Sequence, residues 1–196
     1  MRLTRICVFC GSSTGTHPDY RAAAERLGAE LARRGIGLVF GGGKVGLMGV
    51  VADAVLAGGG EVVGVIPESL ALREVAHDGL TDLRIVGSMH ERKALMAELA
   101  DAFLALPGGF GTFEEFCEAI TWTQLGLHRK RCGLLNVRGF YDPLLALFDR
   151  AVADGFLRPQ NRGIVLSSDD PPTLLDRLAE PFQPIEPKWI RGAGDT

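Results

Sequence analysis

The chain has 196 residues, 46% of them hydrophobic and 23% charged, with a net charge of −3; this length suits one well-buried core and is short for two. That charge and the lack of any long basic run exclude the general electrostatic footprint of a nucleic-acid binder, and no apolar stretch approaches the roughly 18 to 20 residues needed to span a bilayer. The 26 glycines are about twice the usual share of roughly 7%, so the excess belongs in functional turns.

The opening, MRLTRICVFCGSS, carries two arginines ahead of an apolar stretch that is too short, and too soon followed by glycine, for a signal peptide. It reads as a first strand at 5–9. Cys7 and Cys10 form a CxxC pair there, but residues three apart in a strand point to opposite faces, and no second pair or His cluster completes a metal site. Both read as small apolar strand residues. The four cysteines make no disulfide framework, and a reducing cytoplasm is the expected compartment.

A helix is predicted at 20–34 from Ala23, Ala24, Leu27 and Leu31, then strands at 37–40, 61–66, 83–86, 102–106, 133–137 and 164–166. Helices are expected between them at 48–57, 89–99, 112–125 and 143–153, with a last one at 173–178. Short apolar strands alternating with helices predict a single α/β domain over 1–180. It is a Rossmann-like, doubly wound parallel sheet of about seven strands with helices on both faces. The remainder, 181–196, has three prolines, two glycines and no periodicity, and reads as an irregular tail.

Ligands of such a sheet collect at the carboxyl ends of its strands, and three of those turns are glycine-rich. CGSSTG follows the first strand and offers Gly11, Ser12 and Ser13. FGGGKVGLMG follows the second and offers Gly41, Gly42 and Gly43, while LPGGFGTFEE follows the fifth. Glycine lets backbone approach a ligand closely, and three such turns on one rim point to a nucleotide-like ligand. Gly41, Gly43 and Gly46 also satisfy the G-x-G-x-x-G dinucleotide pattern, with Glu68 as a candidate ribose-binding acid, although that pattern normally occupies the first βα turn. Lys44 is not followed by the Gly-Lys-Ser/Thr of an NTP-hydrolysing loop.

In SMHERKALM, Ser88 and Glu91 have capping-box spacing and start a helix at Met89. Arg92 and Lys93 therefore stand near the positive end of the helix dipole, a place that suits cations only if an anion is close. Thr112 and Glu115 have the same spacing, so Glu115 has two readings. It is a helix cap, or it is a carboxylate facing a sugar whose phosphate rests on the turn amides, where it stabilises positive charge at the anomeric carbon. His17, His77, His90 and His128 are scattered, and no metal is assigned to them.

Together GGGKVGLMG, SMHERKALM and PGGFGTFEE resemble the Lonely Guy (LOG) family, cytokinin riboside 5'-monophosphate phosphoribohydrolases, many of whose bacterial members are labelled lysine decarboxylases. The likeness covers about residues 6 to 157 and includes ITWTQLG and GLLNVRGFYDPLL. It implies hydrolysis of the N-glycosidic bond of an adenosine-type 5'-monophosphate, without a cofactor, by a homodimer with sites near its interface. By match, Arg92 and Glu115 fall on the catalytic pair. Substrate contacts fall on Glu74, Lys93 and Thr121, and on the run Gly108, Gly109, Phe110, Gly111, Thr112, Phe113 and Glu114. Met89 and the first two turns complete the expected substrate-binding set. Arg131 and the tail depart from the family pattern, away from this chemistry.

A pyridoxal decarboxylase has no support in the residues, because neither Lys44 nor Lys93 is marked as a Schiff-base former. Two other readings stay open: a non-catalytic nucleotide-binding module, and a nicotinamide-dependent oxidoreductase resting on the second turn.

Overall fold

A computed structural model describes residues 2–71 and 76–181 of the protein. Glu74 and the expected tail from residue 182 onward lie outside the described residues. In chain order the elements are β1 (Arg5–Phe9), α1 (Pro18–Arg34), β2 (Gly37–Phe40), α2 (Gly46–Ala57), β3 (Val62–Pro67), α3 (Glu68–Ala71), β4 (Asp82–Val86) and α4 (Met89–Leu99). There follow β5 (Ala102–Ala105), α5 (Phe110–Gln124), β6 (Cys132–Leu135), a 3-10 turn (Val137–Gly139), α6 (Asp142–Ala153), α7 (Pro159–Arg162), β7 (Val165–Ser168) and α8 (Pro171–Ala179).

The strands form one parallel sheet in the order β4-β3-β2-β1-β5-β6-β7. β2, β5 and β6 are buried along their whole length and β1 along all but its first residue. That is why they read as continuous apolar runs rather than as alternating ones. Each face carries its own core: Leu27, Leu31, Val51 and Leu174 of α1, α2 and α8 on one side, Met96 and Phe116 of α4 and α5 with Phe103 on the other. Truncating a buried ring such as Phe103 costs about 3–5 kcal/mol by transfer and cavity terms. Cys7 packs into the second core and Cys10 against the first, so the CxxC pair faces opposite sides, and all four cysteines are free.

Several boundaries differ from those expected. The sixth strand stops at Leu135 because the chain enters a 3-10 turn in which Arg138 adopts φ 56°, a conformation its sequence does not advertise. The short α3 and α7, four residues each, are too brief to show an apolar period. The expected helix at 112–125 begins two residues earlier, at Phe110, with Gly109 as its cap. This overturns the capping box of Thr112 and Glu115: Thr112 lies inside the first turn and is buried, and Glu115 lies one turn beyond the helix start. The other proposed box is real in part. Ser88 Oγ accepts from the Glu91 N–H at 3.1 Å, while the Glu91 carboxylate accepts from the Gly87 N–H at 2.8 Å.

Candidate active site

Strand order reverses between β1 and β5, and the chain leaves these two neighbours toward opposite faces, opening a crevice at their carboxyl ends. Because β2, β1 and β5 are adjacent, the three glycine-rich turns stand side by side, as expected from the sequence. They are also tied together. The Gly11 N–H donates to Pro107 O at 3.1 Å, and the Leu47 N–H donates to Gly11 O at 3.0 Å. Gly46 adopts φ 62° and leaves no room for a Cβ against Ser12. A cleft of about 280 Å³ lies between them, lined by Ser12, Ser13, Tyr20, Gly108, Gly109 and Phe140 among others.

The start of α5 borders this cleft. No side chain caps it, and its first free acceptor, Gly109 O, takes the N–H of Phe113 at 3.1 Å. The amides of Phe110, Gly111 and Thr112 have no acceptor within the helix, and with the dipole behind them they suit an anion. Gly109 and Gly111 have neither positive φ nor any neighbour within 4 Å of a built Cβ. Neither fold geometry nor packing calls for glycine there, whereas close approach of a ligand does. Gly108 is different, because Thr112 Oγ1 occupies the space of its missing side chain. Phe110 is 93% exposed, and Phe113 stacks on Phe140 with ring centroids 6.3 Å apart.

Arg92 comes from α4 and is buried, only 8% exposed. Its Nε donates to Val65 O at 3.1 Å and its Nη2 to Gly41 O at 3.4 Å. Carbonyls at the ends of β3 and in the second turn thus satisfy a cation that the α4 dipole would otherwise repel. Glycine at 41 leaves room for this guanidinium, because a Cβ there would displace Arg92 Nη2. The remaining nitrogen, Nη1, lies 3.7 Å from Met89 Sδ and 3.6 Å from Glu115 Oε1. The Glu115 side chain is only 12% exposed. Burial pushes its carboxyl above the usual carboxylate range, and the nearby Arg92 pulls it back down.

Lys93 points to α5 rather than to open solvent, with Nζ 2.6 Å from Glu114 and 3.0 Å from Glu118. Its pKa is raised overall: burial opposes the charge, and the two carboxylates outweigh that. Thr121 lies seven residues past Glu114, roughly 10 Å along the helix axis. It lines a separate cavity of about 270 Å³ beside α6 and α7 and donates its hydroxyl to Cys117 O at 2.8 Å. The structure therefore gathers Arg92, Glu115, Met89 and the second turn, but leaves Thr121 apart.

The dinucleotide reading of the second turn loses its support here. Gly41 and Gly46 press on Arg92 and Ser12, the Leu47 N–H is taken by Gly11 O, and Gly42 O accepts from the His77 N–H at 3.1 Å. Protein fills the space beside Gly41 and Gly46 and already uses the Leu47 N–H that a pyrophosphate would need.

The family model described as possible lysine decarboxylase matches residues 48–178. The probable cytokinin riboside 5'-monophosphate phosphoribohydrolase LOGL9 of Oryza sativa subsp. japonica is 56% identical over 179 residues, 91% of this chain and 79% of that one. The cytokinin riboside 5'-monophosphate phosphoribohydrolase LOG7 of Arabidopsis thaliana is 54% identical over 179 residues, 91% of this chain and 82% of that one. The chain belongs to the LOG family. A solved molybdenum cofactor binding protein from Rippkaea orientalis shares the fold with a TM-score of 0.68 at 22% identity, covering 90% of this chain and 96% of that one.

The decarboxylase description of the LOG family model fits these residues poorly. A Schiff-base lysine needs its pKa lowered, yet that of Lys93 is raised, and Lys44 is paired with Asp78 at 3.1 Å. Burial does lower Lys130, but it precedes β6 at the opposite end of the sheet from the turns, and its ammonium donates to Ala97 O. Sequence reasoning passed over Tyr20, Leu47, Phe140 and Glu118, which line the cleft or pair with Lys93. The GFYDPLL segment lies within the LOG likeness, but an aromatic there carries no spacing signal for chemistry.

Proposed function

We propose that this chain hydrolyses the N-glycosidic bond of cytokinin riboside 5'-monophosphates, and of AMP, to free base and ribose 5-phosphate. The observation that carries the mechanism is the buried Arg92–Glu115 pair, 3.6 Å apart, beside the uncapped start of α5. The 5'-phosphate rests on the free amides of Phe110, Gly111 and Thr112, with Gly108, Gly109, Gly11, Ser12 and Ser13 around it. Glu115, one helical turn further, faces C1' of the attached ribose. As the C1'–N bond breaks, its electron pair leaves with the base and positive charge grows on the sugar. A preoriented carboxylate stabilises that state more than the ground state. Water adds at C1', its hydroxyl stays on the sugar, and its other proton ends on the released base. A carboxyl of raised pKa suits relay of that proton.

Arg92, fixed by two carbonyls, orients the carboxylate and favours its ionised form against the opposing effect of burial. Glu114 is the more exposed partner of Lys93 and is free to meet a ribose hydroxyl, and the resemblance adds Glu74 to the substrate contacts. Pairing of two copies belongs to the same reading. Helix α6 buries no residue fully, and Leu147 and the nearby Phe156 are 61% and 89% exposed, beside the cavity that holds Thr121. Four free cysteines agree with a cytoplasmic location, and no described helix is long and apolar enough to cross a membrane.

Incubation with AMP and with isopentenyladenosine monophosphate tests the activity. Free base and ribose 5-phosphate in equal amounts are expected. Tight AMP binding with no base released over hours indicates a binding module, and a change of NAD(P)H fluorescence on mixing indicates an oxidoreductase.

A further inference from the structure

We infer that Tyr141 is a positioning residue for the phosphate-binding turn: its buried hydroxyl holds the Leu106 carbonyl and so aims the amides that follow. The inference rests on the reading of that turn given above.

At Leu106 the sheet ends. Its N–H donates to Phe9 O at 2.9 Å, and Pro107, next in the chain, has no N–H to give. Two carbonyls then fix where the turn goes, each tied to a neighbouring strand. Pro107 O accepts from the Gly11 N–H, which follows β1, at 3.1 Å. Leu106 O accepts from the Tyr141 hydroxyl, in the connection after β6, at 2.6 Å. β1 and β6 are the two strands that flank β5, so the turn is braced from both sides.

Tyr141 is itself held firmly. Its N–H donates to Asn136 Oδ1 at 2.7 Å, the Asn136 amide donates to Asp142 at 2.7 Å, and the Asn136 N–H donates to Ser168 O at 2.8 Å. The ring is 1% exposed and packs edge-on against Phe140 and Phe113, with centroids 5.0 and 6.4 Å away. Phe113 belongs to the first turn of α5, and Phe140 lines the cleft. A phenylalanine fills the same volume, so packing alone does not require the hydroxyl. Burial also pushes the phenol pKa upward, which keeps it a donor. What the hydroxyl adds is orientation of the 106–107 peptide, one residue before Gly108. A carbonyl free to swing toward the cleft presents negative charge to an incoming anion, and small displacements of binding groups are costly.

The test is Tyr141→Phe, with folding checked by thermal melting. For AMP the KM is expected to rise roughly five- to tenfold, the size of one lost hydrogen bond to a buried carbonyl, with kcat changed by less than about twofold. Inhibition by inorganic phosphate should weaken by the same factor, and inhibition by adenosine, which lacks the phosphate, should not move. Unchanged phosphate inhibition overturns the inference, as does equal weakening of adenosine, which marks a general loss of packing. Asn136→Ala, which releases the backbone of Tyr141, should move phosphate in the same direction by less, and it serves if Tyr141→Phe does not fold. Calorimetric titration with inorganic phosphate gives the same comparison without turnover. Failure of the wild type to hydrolyse AMP is thereby distinguished from failure of the tie.

Discussion

Arg92 Nη1 and Glu115 Oε1 stand 3.6 Å apart across the α4–α5 interface, each side chain about nine-tenths sealed from solvent. Burial raises the carboxyl pKa and the guanidinium lowers it. A pair poised between these effects, at the mouth of an uncapped helix, suits a site that stabilises transient positive charge.

Glu115→Gln removes the charge and keeps the shape. We expect kcat to fall by roughly 10²-fold or more, by analogy with deleting one preorganised electrostatic group, with KM nearly unchanged. Steady-state kinetics beside a thermal melt checks it. Wild-type turnover in this variant assigns Glu115 to structure alone.

The pH–rate profile follows from the direction of the shift. Glu115 works ionised, and its pKa lies above the ordinary value of 4.5, so activity should fall on the acid side earlier than an exposed glutamate allows. Because Arg92 lowers that pKa, Arg92→Met should move the acid limb further toward neutral pH. Measuring kcat from pH 4 to 9 in both proteins tests the sign; an acid limb moved downward contradicts it.

Gly109→Ala and Gly111→Ala probe the anion cradle without touching the fold. Space around both positions is open and neither φ is positive. Alanine at the helical position 111 should stabilise by about 0.5–1 kcal/mol, yet each methyl intrudes on the phosphate. A raised KM for AMP is the expected result in both, with a melting temperature equal to or above that of wild type for Gly111→Ala and a slightly lower one for Gly109→Ala, since alanine is a poorer helix N-cap than glycine.

Gly41→Ala acts at a distance from the sugar. Its methyl meets Arg92 Nη2, so the guanidinium must leave the Gly41 carbonyl. Activity should drop as it does for Arg92→Ala, and the double variant should be no worse than either single one, since residues sharing one contact are non-additive. Comparing kcat/KM across the four proteins measures the coupling.

Most strands were legible because central parallel strands are buried on both faces and show as unbroken apolar runs such as AFLA of β5. The chemistry-bearing turns were legible through their glycines. Less accessible was anything set by contacts distant in sequence. The first-turn position of Thr112 depends on Gly109 serving as a cap without a side chain, which spacing rules assigned to Thr112 itself. Arg92 is an arginine on a polar-looking helix until the carbonyls of Val65 and Gly41 are seen around it. Tyr141 reads as one more aromatic in an apolar stretch, because its partner, Leu106, is 35 residues away.

The most direct measurement is a crystal structure of Glu115→Gln, stalled by the substitution, with AMP bound. We predict the phosphoryl oxygens on the amides of residues 110–112 and the side chain at position 115 facing C1' of the ribose. A phosphate seated elsewhere, with that side chain turned away from the sugar, contradicts the account.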